Sequence, residues 1–359
     1  MVKRLRSGYT TGACAAAAAK AAALLLITGE KAPTVEIPFP DGKRHSFAVH
    51  QCHLQGETIF ASIIKDAGDD PDVTNGAEIC ATVQFLSDTP APQYHVTLDN
   101  IILGGSKGVG IISKPGLAAK VGEPAINPVP RDMIKEAVQE VEKDKRLLVQ
   151  ISVTHGEELA KKTLNKRLGI LGGLSILGIT GILRPVSAAA WTATIKASMD
   201  VAKEAGLADI VLSTGRTSER GAQEQLQLPE EAYAMMGDYL EFSLKEAAEH
   251  GFTTIHLAGM WAKITKAALK VPQTHVRNGA LEMDDAAVLL EKLGATGELL
   301  VKIQQSNTAR EMYEHLLEAG RTDIVKKMCL KAREYGEEVS GLRVVVYLVD
   351  STKLVVATA

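Results

Sequence analysis

Residues 10–29 read TTGACAAAAAKAAALLLITG, and almost nothing but a helix can be made of them. Alanine is the best helix former. Thr10 or Thr11 supplies an N-cap hydroxyl, and Gly29 supplies the left-handed stop. The expected helix runs from about Gly12 to Thr28. Because it follows the basic opening MVKRLR, the run also has the outline of a secretory signal or a membrane anchor. A signal needs an uninterrupted apolar core and a cleavage site, and a spanning helix needs about 20 apolar residues. Lys20 interrupts this run, and alanine partitions weakly into lipid. The segment is therefore expected to be retained and ordered, as a helix of the folded protein. Its small side chains would let neighbouring backbone come close.

The chain has 359 residues, more than one core of about 250–300 residues serves, so two domains are expected. Hydrophobic residues at 46% and charged residues at 23% describe an ordinary globular chain. A net charge of −3 gives no bulk attraction to nucleic acid or to an anionic membrane. Aromatic residues, at 4%, are too few for base-stacking platforms. Cys14, Cys52, Cys80 and Cys329 are scattered, with no C-x-x-C pair and no local histidine. That pattern argues against a bound structural metal and for reduced thiols in a cytoplasm.

The sequence predicts an α+β domain over residues 1–165 and a doubly wound, Rossmann-like α/β domain over 166–359. In the first, VEIPF (35–39) and HSFAVH (45–50) read as a hairpin. Segments 78–86, 94–103 and 147–155 read as strands, and 131–146 as an amphipathic helix. In the second, strands at 175–183, 208–215, 253–259 and 342–350 alternate with helices, one of them beginning near Pro229. After a helix at WAKITKAALK, two further helices are expected before the last strand.

Glycines mark the candidate sites. GILGGLSILGITGILRP (169–185) enters the expected second domain, and two strand ends, Ser213-Thr214-Gly215-Arg216 and Ala258-Gly259-Met260, point to the same edge. Doubly wound folds bind nucleotides there, where glycine lets backbone approach the ligand. The spacing is not G-x-G-x-x-G, so a nicotinamide site fits poorly. GGSKGVGIISKPGL (104–117) carries Lys107 and Lys114 without G-K-[ST], so it suits either a carboxylate-rich ligand or a plain turn. Arg131 either clamps an anion or is a solvated helix-start cation. His155, and more weakly His256 and His275, are candidates for acid–base work or for ordinary surface positions. No G-x-S-x-G, H-E-x-x-H or paired-carboxylate motif offers a hydrolytic nucleophile.

Taken together, LRSGYTTGACAAAAAKAA, DPDVTNGAEI, GVGIISKPGL, GEPAINPVPRDMI, NKRLGILGGLSILGITGILRPVS and STGR resemble the cobalt-precorrin-5B C1-methyltransferases of anaerobic cobalamin biosynthesis. The likeness runs in order through at least residues 5–260. Ala13, Trp261 and Val276 depart from the pattern.

The resemblance implies S-adenosylmethionine as methyl donor and cobalt-precorrin-5B, which brings its own cobalt, as acceptor. No protein metal site is implied. On this reading the donor lies against Gly172, Gly173, Ser175, Gly178, Thr180, Gly181, Thr214 and Gly215. Gly173→Val should then weaken donor binding with the fold intact. The acceptor is expected between the halves, its carboxylates meeting Thr10, Thr11, Lys107, Lys114 and Arg131. SGYTTGAC would be an anion-friendly helix N-terminus. No catalytic side chain is assigned, because methyl transfer to carbon relies on alignment. Substrate hand-over to other cobalamin-pathway enzymes and a homo-oligomer are compatible with this reading. Two alternatives stay open: a non-catalytic tetrapyrrole- or nucleotide-binding protein, and a nicotinamide oxidoreductase.

Overall fold

A short strand, β1 (Gly8–Tyr9), leads into α1 (Thr11–Thr28), the helix that the alanine run dictates. The structure is a computed structural model, describing residues 5–86, 91–185, 187–274 and 283–359. The Thr10 hydroxyl caps α1 by accepting from the Ala13 amide at 3.2 Å. Gly29 ends the helix at φ 73°, its amide donating to the Leu25 carbonyl. By length and composition α1 is apolar enough to cross a bilayer, but its alanines lie in a protein core, with Ala13 through Ala19 at 0–1% exposure. The chain divides into two compact units, residues 1–187 and 188–359.

The first unit continues with the hairpin β2 (Thr34–Pro38) and β3 (Arg44–Ala48). A second hairpin, β4 (Gln51–Gln55) and β5 (Thr58–Ile64), precedes β6 (Glu78–Phe85), β7 (His95–Leu98) and β8 (Ile101–Gly105). Then come the two-residue strands β9 (Gly108–Val109) and β10 (Ile111–Ile112), helix α2 (Pro128–Gln139), β11 (Leu147–Val153) and α3 (Gly156–Ala160). Three more short strands, β12 (Ile170–Leu171), β13 (Gly173–Leu174) and β14 (Ile182–Leu183), complete it. A six-stranded sheet of order β4-β5-β6-β11-β8-β7 is antiparallel except where β8 runs parallel to β11. Alternate residues Ile79, Ala81 and Val83 of β6 and Leu147, Val149 and Ile151 of β11 enter one core with α1 and with Met133, Ile134, Ala137 and Val138 of α2. Methyl-sized side chains on α1 let that helix sit close to both the sheet and α2.

At the edge of this core, Lys20 of α1 donates to the Glu36 carbonyl at 2.7 Å and pairs with Glu140, which also takes a two-point contact from Arg44 at 2.7 and 2.9 Å. Arg44, then Lys20, hold the Glu140 carboxyl at about 2, below its ordinary 4.5. A depressed carboxyl adds stability that is complete above its unfolded pKa and is lost as pH falls through the folded one. Glu140→Gln is therefore expected to cost about 1 kcal/mol at neutral pH, after allowance for solvent screening. Urea unfolding across pH 7 to 2 should show the gap closing toward pH 2; a pH-independent gap would contradict this assignment.

The second unit opens with α4 (Ala188–Glu204), β15 (Asp209–Ser213) and α5 (Arg216–Leu226). It continues through β16 (Tyr233–Met235), α6 (Leu240–Glu249), β17 (Thr254–Gly259) and α7 (Trp261–Ala268). Helices α8 (Met283–Lys292), α9 (Gly297–Gln305), α10 (Ala309–Glu318) and α11 (Thr322–Ser340) precede β18 (Arg343–Val349) and β19 (Val355–Thr358). The sheet order is β16-β15-β17-β18-β19, parallel but for β19. Ile210, Leu212, Ile255, Leu257, Val344 and Val346 pack with α4, α6, α7 and α11 on one face. Val211, Ala258 and Tyr347 pack with Ala222 of α5 on the other. Strand order reverses between β15 and β17, the place where open parallel sheets leave a crevice at their carboxyl ends.

Several expected elements change. Segment 94–103 is not one strand but the hairpin β7–β8, turning at Asp99 with φ 53°. The expected helix 131–146 starts earlier, with prolines in its first turn, and ends at Gln139. Residues 229–239 are not α-helical: a short 3₁₀ helix (Glu230–Ala232) leads into β16, which gains backbone bonds by pairing with β15. After α7, four helices, not two, precede β18 among the described residues. The largest difference is at 166–187. This segment belongs to the first unit, where β12, β13 and β14 pair with β10, β9 and β1. The expected strand 175–183 is only its flanking fragments.

Candidate functional site

The expected donor crevice joined residues that fall in different units: Gly172 through Gly181 in the first, Thr214 and Gly215 in the second. Within the first unit, packing accounts for most of the glycines. A Cβ on Gly173 would stand 2.4 Å from the Gly108 carbonyl, and one on Gly156 would stand 2.3 Å from the same oxygen. Gly178 lies on the Thr10 side chain and Gly181 on the Phe39 ring, with would-be Cβ distances of 2.4 Å each. Gly172 is the exception, with φ 81° and open space beside it. Ser175 is half-buried, and Thr180, though exposed, turns its hydroxyl to the Ile182 backbone. Gly173→Val therefore cannot serve as a fold-neutral probe of donor binding.

The helix N-terminus expected to receive an anion is already closed. The Gly12 amide donates to the Leu177 carbonyl at 3.0 Å, and the Thr10 amide donates to that of Gly181. The buried Thr11 hydroxyl donates to the Leu177 carbonyl and accepts from its amide at 2.9 Å. Both threonines fasten the glycine-rich segment to α1. Arg131 is committed too: its Nε donates to the Ile126 carbonyl and its Nη2 to Glu123, each at 2.6 Å. Its charge is thus matched inside the loop before α2, and it is a positioning residue. Lys107 is exposed, and Lys114 is half-buried with its stem along Gly169.

In the second unit the carboxyl ends of β15 and β17 meet at small residues. Thr214 donates its amide to the Ala258 carbonyl, and its methyl lies 3.5 Å from where a Gly259 Cβ would be. Gly215 starts α5 with φ 172° and ψ 174°, an extended conformation open to any residue, yet a Cβ there would meet nothing within 4 Å. No side chain caps α5, so its first amides take no side-chain acceptor from the cap residue. Behind them, buried Ser213 donates to Glu219, and Ser218 donates to the Gly215 carbonyl. Trp191 donates to the Met236 carbonyl and stands over Gly237, while keeping 45% of its surface exposed.

One polar cluster at this edge was not legible in the sequence. Asp238, just past β16, accepts from Lys263 and from the Thr274 hydroxyl at 3.0 Å. Lys263 and buried Lys266 both donate to the Thr274 carbonyl at 2.9 Å. Burial, then the neighbouring Lys263, lowers the Lys266 ammonium below its ordinary pKa. Asp238 lies 25 residues before Lys263 and 36 before Thr274, and no local spacing announces the cluster.

The other candidates take structural roles. His155 caps α3 from the left-handed region at φ 56° and is exposed. His256 bonds Tyr347 at 3.0 Å and is kept neutral more readily by burial. His275 and Val276 lie outside the described residues. Burial pushes the Cys14 and Cys329 thiols up to about 12, which removes them as nucleophiles.

Family comparison places this arrangement. The CbiD family model matches residues 1–185, and a model described as the C-terminal domain of CbiD matches 273–359. The chain belongs to the CbiD family. A relative from Desulfotalea psychrophila, named cobalt-precorrin-5B C(1)-methyltransferase, is 59% identical over 96% of this chain and 95% of its own. A protein of the same name from Citrifermentans bemidjiense is 46% identical over 94% of this chain and 93% of its own. The crystal structure of a cobalamin biosynthesis protein, CbiD, from Archaeoglobus fulgidus aligns with 88% of this chain and 85% of its own, at 24% identity and a TM-score of 0.40. The first CbiD model ends at residue 185, beside the unit boundary at 187 and not at the expected 165.

Proposed function

We propose that this chain transfers a methyl group from S-adenosylmethionine to C1 of cobalt-precorrin-5B, giving cobalt-precorrin-6A. The observation that carries this reading is 59% identity, over nearly the full length of both chains, to a relative named for that reaction. When bound, S-adenosylmethionine supplies a methyl group on a sulfonium, which a macrocycle carbon can take in line. The acceptor brings its own cobalt. The protein's task is to hold two ligands in register and keep water away, and alignment of that kind is worth several kcal/mol.

We assign the donor to the second unit, read as a doubly wound, Rossmann-like domain. Three features support the fit. The strand order reverses between β15 and β17. Gly215 leaves an unfilled space at the start of α5, whose N-terminus no side chain caps, and a helix start of this kind suits the donor's carboxylate. Trp191, which donates to the Met236 carbonyl just past β16, offers an exposed ring to the adenine. On this reading Thr214 and Gly215 keep the role expected of them, and Gly259 and Met260 join them.

The acceptor's carboxylates are assigned to the first unit, to the exposed Lys107. Thr10, Thr11 and Arg131 drop out because their polar groups are used within the fold. The reaction is placed in a cytoplasm, where other pathway enzymes would supply and receive the macrocycle.

Purified protein given methyl-labelled S-adenosylmethionine and cobalt-precorrin-5B is expected to put the label on C1, read by carbon NMR of the product. Binding of both molecules without label in the macrocycle would favour the non-catalytic binding protein instead.

A further inference from the structure

We propose that a hollow beside β10 and β12 in the first unit seats one edge of the methyl acceptor, a flat apolar macrocycle with carboxylate arms. This inference rests on the methyl-transfer reading above. The hollow has a volume of about 420 Å³ and is walled by Ile111, Ile112, Val121, Leu171 and Gly172, with Tyr94 at its rim. That volume lies within the range of about 300–1,000 Å³ usual for small-molecule sites.

The walls are apolar yet left in water: Val121 is 56% exposed and Leu171 49%. Leaving such side chains uncovered on either side of a concavity costs apolar hydration, and covering them with a ring face recovers it. Gly172 widens the opening, because its φ of 81° and the empty space beside it put no side chain into the mouth. Lys114 follows the lining residue Ser113 in the chain, with its stem along Gly169 beside β12, and exposed Lys120 precedes the lining residue Val121. This pairing of apolar wall and flanking positive charge is what fixes the choice of occupant. It is complementary to an anionic macrocycle, in a chain whose overall charge is −3.

The hollow is a built feature with its own frame. The β10–β12 ladder pairs Ile111 with Leu171 and Ile112 with Ile170. The facing loop is tied back by the Gly122 amide to the Ile112 carbonyl at 2.8 Å, and by the Ile112 amide to the Glu123 carbonyl at 3.0 Å. Glu123 is in turn fixed by Arg131, and a small separate core of Ile112, Ala119, Ala125 and Ile170 lies beneath. Arg131 thus serves the acceptor by holding the wall that carries Val121.

The test uses the full chain with Leu171→Glu and Val121→Glu, both at exposed positions where substitution perturbs folding little. Cobalt-precorrin-5B and S-adenosylmethionine are titrated separately by calorimetry, and thermal melting reports the fold. Each glutamate should raise the acceptor Kd at least about tenfold through like-charge repulsion. The donor Kd and the melting temperature should stay near wild type, and Leu171→Met should bind the acceptor normally. Wild-type acceptor affinity in both glutamate variants would overturn the seat while leaving the methyl-transfer reading intact. So would loss of donor affinity with acceptor affinity kept, or a change of oligomeric state as the sole effect. Failure of the wild-type chain to bind cobalt-precorrin-5B would overturn both.

Discussion

Gly173→Ala is expected to destabilise the chain by about 3 kcal/mol, a large effect for one methyl group. The reason is what surrounds the position. A Cβ would lie 2.4 Å from both the carbonyl carbon and oxygen of Gly108 and 2.7 Å from the Val109 carbonyl carbon. These are backbone atoms, so no side chain can swing aside. They are also held: β13 pairs with β9 through these residues, and the Gly110 amide donates to the Leu174 carbonyl. Gly156 closes the same junction from α3, leaving three strands of backbone in contact where side chains would ordinarily intervene. Its neighbour Gly172 provides the control. It has φ 81° but open space, so Gly172→Ala should cost only the left-handed penalty of roughly 1–2 kcal/mol. Urea unfolding of the two variants decides this, and equal midpoints would show that the junction relaxes freely.

The contrast also shows what could be read from the sequence. Helix α1 was legible to within a residue at its start because cap, composition and stop agree: Thr10, the alanines and Gly29. The β2–β3 hairpin and strands β6, β11, β15, β17 and β18 were legible from alternation and bounding turns. The hairpin β4–β5 was missed because QCHLQ is short and mostly polar, and its one large apolar residue, Leu54, stays exposed on an edge strand. β16 was missed because PEEAYAMM has helical composition, and only pairing with β15 makes it extended. Segment 166–187 was given to the wrong unit for the same kind of reason. A two-residue strand carries no period, and its partners lie up to about 170 residues away.

The candidate glycines divide on local grounds. A glycine shows that something must come close, but not whether that is a ligand or another stretch of backbone. At Gly173, Gly178 and Gly181 the neighbour is the protein's own chain, and at Gly172 and Gly215 nothing fills the space. The Thr10 and Thr11 hydroxyls looked available because their partners, Ala13 and Leu177, are fixed by folding. The Asp238–Lys263–Thr274 cluster is assembled by tertiary structure and carried no sequence signal.

Gly215→Val tests the central assignment, that the donor sits at the carboxyl end of β15. At φ 172° valine can adopt the backbone, and its side chain would enter space that is empty of protein atoms. Valine is a poorer N-cap than glycine, so stability should fall by about 1 kcal/mol at most. If the donor's carboxylate uses the α5 amides, the same side chain obstructs it. Calorimetric titration should then show the S-adenosylmethionine Kd raised at least about tenfold, some 1.4 kcal/mol or more, with the fold intact. A Gly215→Val protein that binds S-adenosylmethionine as wild type does, while Gly172→Val loses it, would contradict the account and return the donor to the first unit.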